Sequence, residues 1–588
     1  MTQQLSQPVT ANLRPIHRRA PRPAREPQSL EPLAVIRLRG SQAEMGAQHA
    51  RALRQLGSWE QVVDFYTELP ERMILHADSY TRPRWIVRKA AARLKDALLR
   101  RVERKWPAAY LARSRAFMEE LGMPADHSRY LAVMDVLQNV VGIVGRLGLG
   151  PFSRIAADAA VPACSTLMVW DGASDNGQLR HARNFDFPGI GVWDRVPAVV
   201  FCEPDEGERY GFVTARGADT PGVSAFNEAG ITVTMHTRFH RDVTFDGAAI
   251  VDIGHDIARR ATSIDEAIAI VRERPSASTW GIAVSSAREH KAVAIEANAR
   301  KVSVIEPGDR DYVSCANRYR HPEMVVGQVA ASAAWDAHST GRQGRLEMLV
   351  AEHRPSGGMS VEALQNALAD RVDPSAPHAA RGCGAVVSQP ATVKSIVACP
   401  EERAIHVSVG PAPTSRGPYV RVDWSWDGPV GGRELERVDV PASTDPAERA
   451  FDCYTEASRL DRQVDDWRGA LAQLEQAIAL QPDDPSYRLM AGVLTMRTGD
   501  FAVARAHLEA GLETETIPLR RGQLLLWASR AADAAGDALA ARRHRAELLA
   551  MDHDALVEHR TLAGREERRA WDPKRRRIQI NLLTSDAW

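Results

Sequence analysis

The chain has 588 residues, 44% of them apolar and 26% charged, with 75 basic and 75 acidic side chains that leave a formal charge of zero. That length accommodates several domains and a sizeable core, and the neutral balance gives no basis for binding nucleic acid or a membrane surface. Six scattered cysteines, with no CxxC pair and no histidine at metal-ligand spacing, fit a reducing compartment, and neither a metal nor an organic cofactor is expected.

Residues 1–31 are rich in Pro, Gln and Arg and poor in large apolar groups. Such a composition cannot offset the entropy of ordering, so a disordered tail is expected. No signal-peptide stretch opens the chain, and no later run approaches the roughly 18 apolar residues that span a bilayer. A cytoplasmic protein with no integral membrane segment is the expectation.

Leu33 to Gly40 reads as a strand ending in a glycine turn, after which Ser41 caps a helix carrying Met45, Gly46, His49 and Leu53. From Trp59 to about Leu149 the period is helical. Within it, Lys89 to Arg104 sets Leu94, Leu98 and Val102 on one stripe, the core-packing face of a solvated helix.

Beyond Val161 the texture changes to short β-like runs separated by Gly, Asp and Asn turns. Strands are expected at 166–170, 179–184, 198–202, 211–214, 230–236, 281–285, 292–296, 302–305, 393–398 and 405–409, with helical stretches at 247–274 and 341–370. Layered sheets covered by helices, an α+β core, follow from that order. No GxxxxGK[ST] or strand-borne GxGxxG is present, so a nucleotide cradle is unsupported.

A Pro/Gly-rich connector starts at Gly410, and 426–446 reads as a linker. The Ala/Leu/Arg-rich segment 447–552 holds a weak repeat: Asp466-Trp467-Arg468-Gly469-Ala470 is echoed 34 positions later by Asp500-Phe501-Ala502-Val503-Ala504, and again by Asp537-Ala538-Leu539-Ala540-Ala541. That period resembles tetratricopeptide repeats and implies an all-α domain able to take a protein partner. Residues 553–588 read as a basic C-terminal tail.

Cys164 is the candidate for chemistry. A cysteine on an alternating strand is often just a small buried hydrophobe, but Arg183 and Asp186 on the next strand offer a thiol the charges it needs. His181, His236, His240 and His255 are available as partners, yet none stands in a cysteine-protease motif. A cut between Ala163 and Cys164 would free an α-amino group of pKa about 7.7 to 8.0, able to act as general base for its own thiol. The odd spacing of Arg183 and Asp186 requires a bulge or a strand end near Asn184 if both are to reach one site.

Taken in order, several motifs resemble one family. They are Gly40-Ser41 with Glu44-Met45-Gly46, Ala163-Cys164-Ser165-Thr166, Arg183-Asn184-Phe185-Asp186, Asn227-Glu228-Ala229-Gly230, Cys315-Ala316-Asn317-Arg318 and Thr392-Val393-Lys394-Ser395-Ile396. The family is the acyl-CoA:6-aminopenicillanic acid acyltransferase-like group of self-cleaving N-terminal-nucleophile (Ntn) hydrolases, and the resemblance covers about residues 32–425. It implies a four-layer αββα sandwich, with 32–163 as an N-terminal helical part and 164–425 as the catalytic core. By motif, Cys164 would be the nucleophile exposed by autocleavage, Arg183 would favour its anion, and Asp186 would hold the α-amino group. Asn227 and Asn317 would supply the oxyanion hole, and Arg381 would join the site. Ala163 departs from the Gly common before the nucleophile.

The expected activity is hydrolysis or transfer of an acyl group from a small-molecule non-peptide amide or thioester through an acyl-enzyme on Cys164. The alternative from another class is a tetratricopeptide-type adaptor with an inactive Ntn-like binding domain. A third reading is an unprocessed thiol hydrolase that uses His236 or His181.

Overall fold

A computed structural model describes residues 29–78, 84–125, 127, 135–139, 142–143, 164–330, 332–377, 380–573, 578, 580–583 and 585–587. The expected tail up to residue 28, Ala163 and parts of the C-terminal tail lie outside the described residues. Strands follow in chain order as β1 (Ala34–Gly40), β2 (Cys164–Asp171), β3 (Gly177–Asp186), β4 (Pro197–Pro204), β5 (Tyr210–Ala215), β6 (Ser224–Asn227), β7 (Ile231–Thr237) and β8 (Trp280–Ser286). They continue as β9 (Lys291–Ala297), β10 (Val302–Ile305), β11 (Tyr312–Cys315), β12 (Thr392–Cys399), β13 (Ala404–Ser408), β14 (Tyr419–Asp423) and β15 (Gly431–Glu434). All of the strands expected from sequence are present, with ends shifted by at most two residues. β6, β11, β14 and β15 are additional.

These strands make two sheets, ordered β10-β9-β8-β7-β6-β5-β4-β1-β15 and β11-β2-β3-β12-β13-β14. β1 pairs parallel to β4, while β15 closes the edge antiparallel to β1, so the segment expected as a linker contributes a strand to the larger sheet. The inner faces meet through Val35, Val199, Phe201 and Phe226 from one sheet against Ile396, Ile405 and Val407 from the other. A second contact brings Met168, Trp170 and Val313 against Ala283, Ala292 and Ala294.

The outer face of the larger sheet buries Leu53, Met118, Ile253, Ile257 and Ile268 of the helices Gln42–Leu56, Ala108–Leu121, Ile250–Arg260 and Ile264–Glu273. The outer face of the smaller sheet packs Leu167, Val169 and Ala182 on Leu346, Leu349, Leu364 and Leu368 of the helices Ala333–His353 and Val361–Ala369. The result is the expected αββα order. Each buried aliphatic side chain contributes about 1.5–3 kcal/mol, so the sheets form a rigid platform for whatever β2 and β3 carry.

The C-terminal region is helical, from Pro446–Arg459 through Val557–Arg568. Its repeated aspartates are helix caps: Asp466, Asp500 and Asp537 each accept from the backbone N–H three residues on, that of Gly469, Val503 and Ala540. Tyr454, Tyr487 and Trp527 on this region's inner side share one core with Cys383 from the sandwich and with Trp571, Ile580 and Leu582 from the end of the chain. The expected basic tail is therefore partly packed structure. Among the described residues no helix is long and apolar enough to cross a membrane.

Candidate active site

Cys164 is the first residue of β2 and lies opposite Phe185 of β3, while Thr166 lies opposite Arg183. Opposed residues in an antiparallel pair share a face, so the thiol and the Arg183 guanidinium both look into the space between the sheets. Nη2 of Arg183 is 3.6 Å from Cys164 Sγ. The same guanidinium donates to the carbonyls of Met235, at 2.6 Å, and Val223 and to the Ser224 hydroxyl, which fixes it against β6 and β7. Cys164 is only 3% exposed. Burial pushes its thiol pKa up, with the Arg183 charge pulling the other way. In the uncut chain the sulfur is therefore a thiol awaiting a base, not a standing thiolate.

Asp186 is the last residue of β3, and the adjoining strand β12 carries an irregularity between Thr392 and Lys394. The strand end and a bulge on the neighbour together meet the geometric requirement set by the Arg-x-x-Asp spacing. Asp186 Oδ1 accepts from the Thr392 hydroxyl at 2.6 Å. Its Oδ2 is buried with no hydrogen-bond partner among the described residues. Burial pushes this carboxyl up to about 7 against the opposing charges of Arg342 and Arg183.

Asn317, just past β11, closes the other side. Its Oδ1 accepts from the Cys164 backbone N–H at 2.8 Å and its Nδ2 donates to the Thr237 carbonyl at 2.9 Å. Arg342 completes the grip and was not singled out from sequence. Its Nη1 donates to the Cys164 carbonyl at 2.7 Å and to Ser165 Oγ at 2.8 Å, and its Nη2 donates to Asn317 Oδ1 at 2.8 Å. It rises, fully buried, from the Ala333–His353 helix, which packs Leu346 and Leu349 on β2 and β3.

Two expected members lie elsewhere. Asn227 donates from Nδ2 to the carbonyls of Ala258 and Ala261, at 3.1 and 2.7 Å, and accepts from Ile231 N–H. It ties the end of the Ile250–Arg260 helix to the β6–β7 turn and makes no bond to the Cys164 cluster. Arg381 pairs with Glu515 of the helical region at 3.4 Å, beside Gly382, whose N–H donates to Asp484. It belongs to the junction between sandwich and helices.

Two of the candidate histidines bond other side chains. His181 bonds Ser285 and Thr234, with its pKa down to about 3 through burial, and His236 bonds Thr166. Neither makes a bond to the sulfur.

A cavity of about 90 Å³ opens from Cys164 and Arg183. Phe185, Phe187, Trp193, Met235 and Trp280 make much of its wall, with Lys394 and Thr237 among the polar members. Its wall is mostly apolar and aromatic, with a few polar side chains converging on it.

Residues 173–377 match the family model described as "Acyl-coenzyme A:6-aminopenicillanic acid acyl-transferase". The matched span contains Arg183, Asp186, Asn227 and Asn317 and leaves Cys164 and Arg381 outside it. No curated protein matches the chain. Similar solved structures include a mutant of conjugated bile acid hydrolase from Clostridium perfringens, at 10% identity and a TM-score of 0.33, covering 48% of this chain and 99% of that one. A second variant of the same hydrolase is similar at 8% identity and a TM-score of 0.32, with the same coverage.

Proposed function

We propose that the protein is a cysteine amidohydrolase or acyltransferase of the Ntn type, activated by cleavage between Ala163 and Cys164. The observation that carries this reading is the orphan Oδ2 of Asp186 in a cluster that already grips both the N–H and the carbonyl of Cys164. A buried carboxylate oxygen without a donor is costly. An α-ammonium at Cys164 supplies the donor and returns the carboxyl to its charged form.

The ammonium gives up one proton to solvent, and the neutral amine, still donating to Asp186, takes the proton from Sγ as the sulfur attacks the acyl carbon of a non-peptide amide or thioester. The C–N or C–S bond breaks as the leaving group takes the proton, and water or an acceptor amine releases the acyl group from the thioester on Cys164. Asn317 donates to the oxyanion, and Arg183 offsets the charge that develops beside the sulfur. Hydrolysis is favoured over transfer because no CoA-type motif is present in the sequence. A screen of acyl amides against the full chain, with Cys164→Ala as blank, tests this: turnover confined to the unsubstituted chain supports it, and equal turnover by both sinks it.

A further inference from the structure

Lys394 stands on β12 just past the irregularity that places Asp186, and it is 4% exposed. Its ammonium has three donors. One acceptor meets it among the described residues, the Trp193 carbonyl at 2.8 Å from Nζ. It lines the same cavity as Cys164.

The acidic groups nearby are committed elsewhere. Asp194 accepts from Gly191 N–H, Ala412 N–H and Arg195 Nε at 2.6, 2.9 and 3.2 Å. Asp135, on the cavity wall, accepts from Ile250 N–H and Trp280 Nε1 at 2.8 and 2.7 Å. Trp193 lines the cavity as well, and its indole N–H is buried without an acceptor among the described residues. Burial drives the Lys394 pKa down to about 7, eased by Asp194 and worsened by Arg216. Among the described residues no carboxylate accepts a hydrogen bond from this ammonium.

We propose that the substrate of this site carries a carboxylate on the half that fills the cavity, and that Lys394 is the residue that selects it. The proposal rests on the reading of Cys164 as the acyl-accepting nucleophile, since it is that residue's cavity that Lys394 enters. A purely apolar tail would seal the ammonium in with its single acceptor. A carboxylate would accept charge-assisted bonds from Nζ, and the Trp193 N–H offers a second donor.

The test is calorimetric binding to the full chain carrying Cys164→Ala, so that no turnover is needed. N-propylhexanamide serves as the neutral probe, N-propyladipamic acid carries the carboxylate on the acyl half, and N-hexanoyl-β-alanine carries it on the amine half. One carboxylated probe is expected to bind at least about tenfold tighter than the neutral one, and which of the two does so assigns the half. Adding Lys394→Met is expected to erase that preference while the neutral probe still binds, which also shows that the cavity remains folded.

Neutral binding as tight as carboxylated binding in the Lys394 chain overturns the proposal, as does a preference that survives Lys394→Met, or no binding of either carboxylated probe. Carboxylate selectivity in a chain that neither cleaves itself nor turns over any amide would instead sink the catalytic reading and leave the selectivity standing.

Discussion

Arg342 donates to the carbonyl oxygen of Cys164 at 2.7 Å across 178 positions of sequence. The carbonyl lies on the C-terminal side of the cysteine, and Asn317 takes the N–H on the other side. Cys164 is thus held by its backbone, leaving the sulfur to Arg183. Replacing Arg342 by Ala removes the side-chain donor to the Cys164 carbonyl and one of the two donors to Asn317 Oδ1 in a dry interior, with an expected loss of about 3 kcal/mol in denaturant unfolding. Arg342→Lys keeps the charge but cannot fork to three acceptors, so it should recover part of the stability and little of the activity.

Asn317→Ala removes the acceptor for Cys164 N–H and the amide assigned to the oxyanion. A fall of about 10²- to 10³-fold in kcat is expected, with a much smaller change in KM. A KM effect alone would make Asn317 a substrate-binding group.

The buried carboxyl of Asp186 gives a pH signature. Its pKa stands near 7 in the folded uncut chain against 3.8 ordinarily, so between those values the folded state keeps a proton that the unfolded state has released. Unfolding free energy from this group falls as pH rises through that window. In an uncut Cys164→Ala background, Asp186→Asn should flatten the decline by up to one proton, about 1.4 kcal/mol per pH unit. Asp135, pushed up to about 6 by its own burial, is common to both chains and cancels in the comparison.

Gly382 sits against the ring of Tyr487, where a Cβ would collide with the aromatic carbons. Gly382→Ala should therefore pry the 380–384 loop from the helical region at about 1–3 kcal/mol, seen as a lower melting temperature. Gly384→Ala cannot serve as the control, because that glycine holds a φ of 128°.

Much of the sandwich was legible because its central strands carry strand-type patterns between Gly, Asp and Asn turns: β7 alternates apolar residues with Thr and His, and β4 is a continuous apolar run from Ala198 to Cys202. The strands that escaped are short or at edges: β6 has four residues, and β15 is Gly431-Gly432-Arg433-Glu434, whose pairing is set by β1 and not by its own side chains. In the site, Cys164, Arg183, Asp186 and Asn317 lie close enough to motif landmarks to be read from sequence, and the structure brings them together. Asn227 was drawn in by its Asn-Glu-Ala-Gly context, yet that context serves a turn and a helix end. Arg342 escaped because its partners come from β2 and the residue after β11, a convergence that only the folded chain contains.

The bond before Cys164 decides between a processed and an unprocessed enzyme, and intact-mass spectrometry of the purified full chain reads it. A fragment beginning at Cys164 is expected, with iodoacetamide labelling of that thiol located by peptide mapping because Cys453 is partly exposed, and a Cys164→Ala chain that stays whole. A chain that remains uncut from Met1 to Trp588, with Cys164 unreactive, would contradict the reading of Cys164 as a nucleophile freed by cleavage.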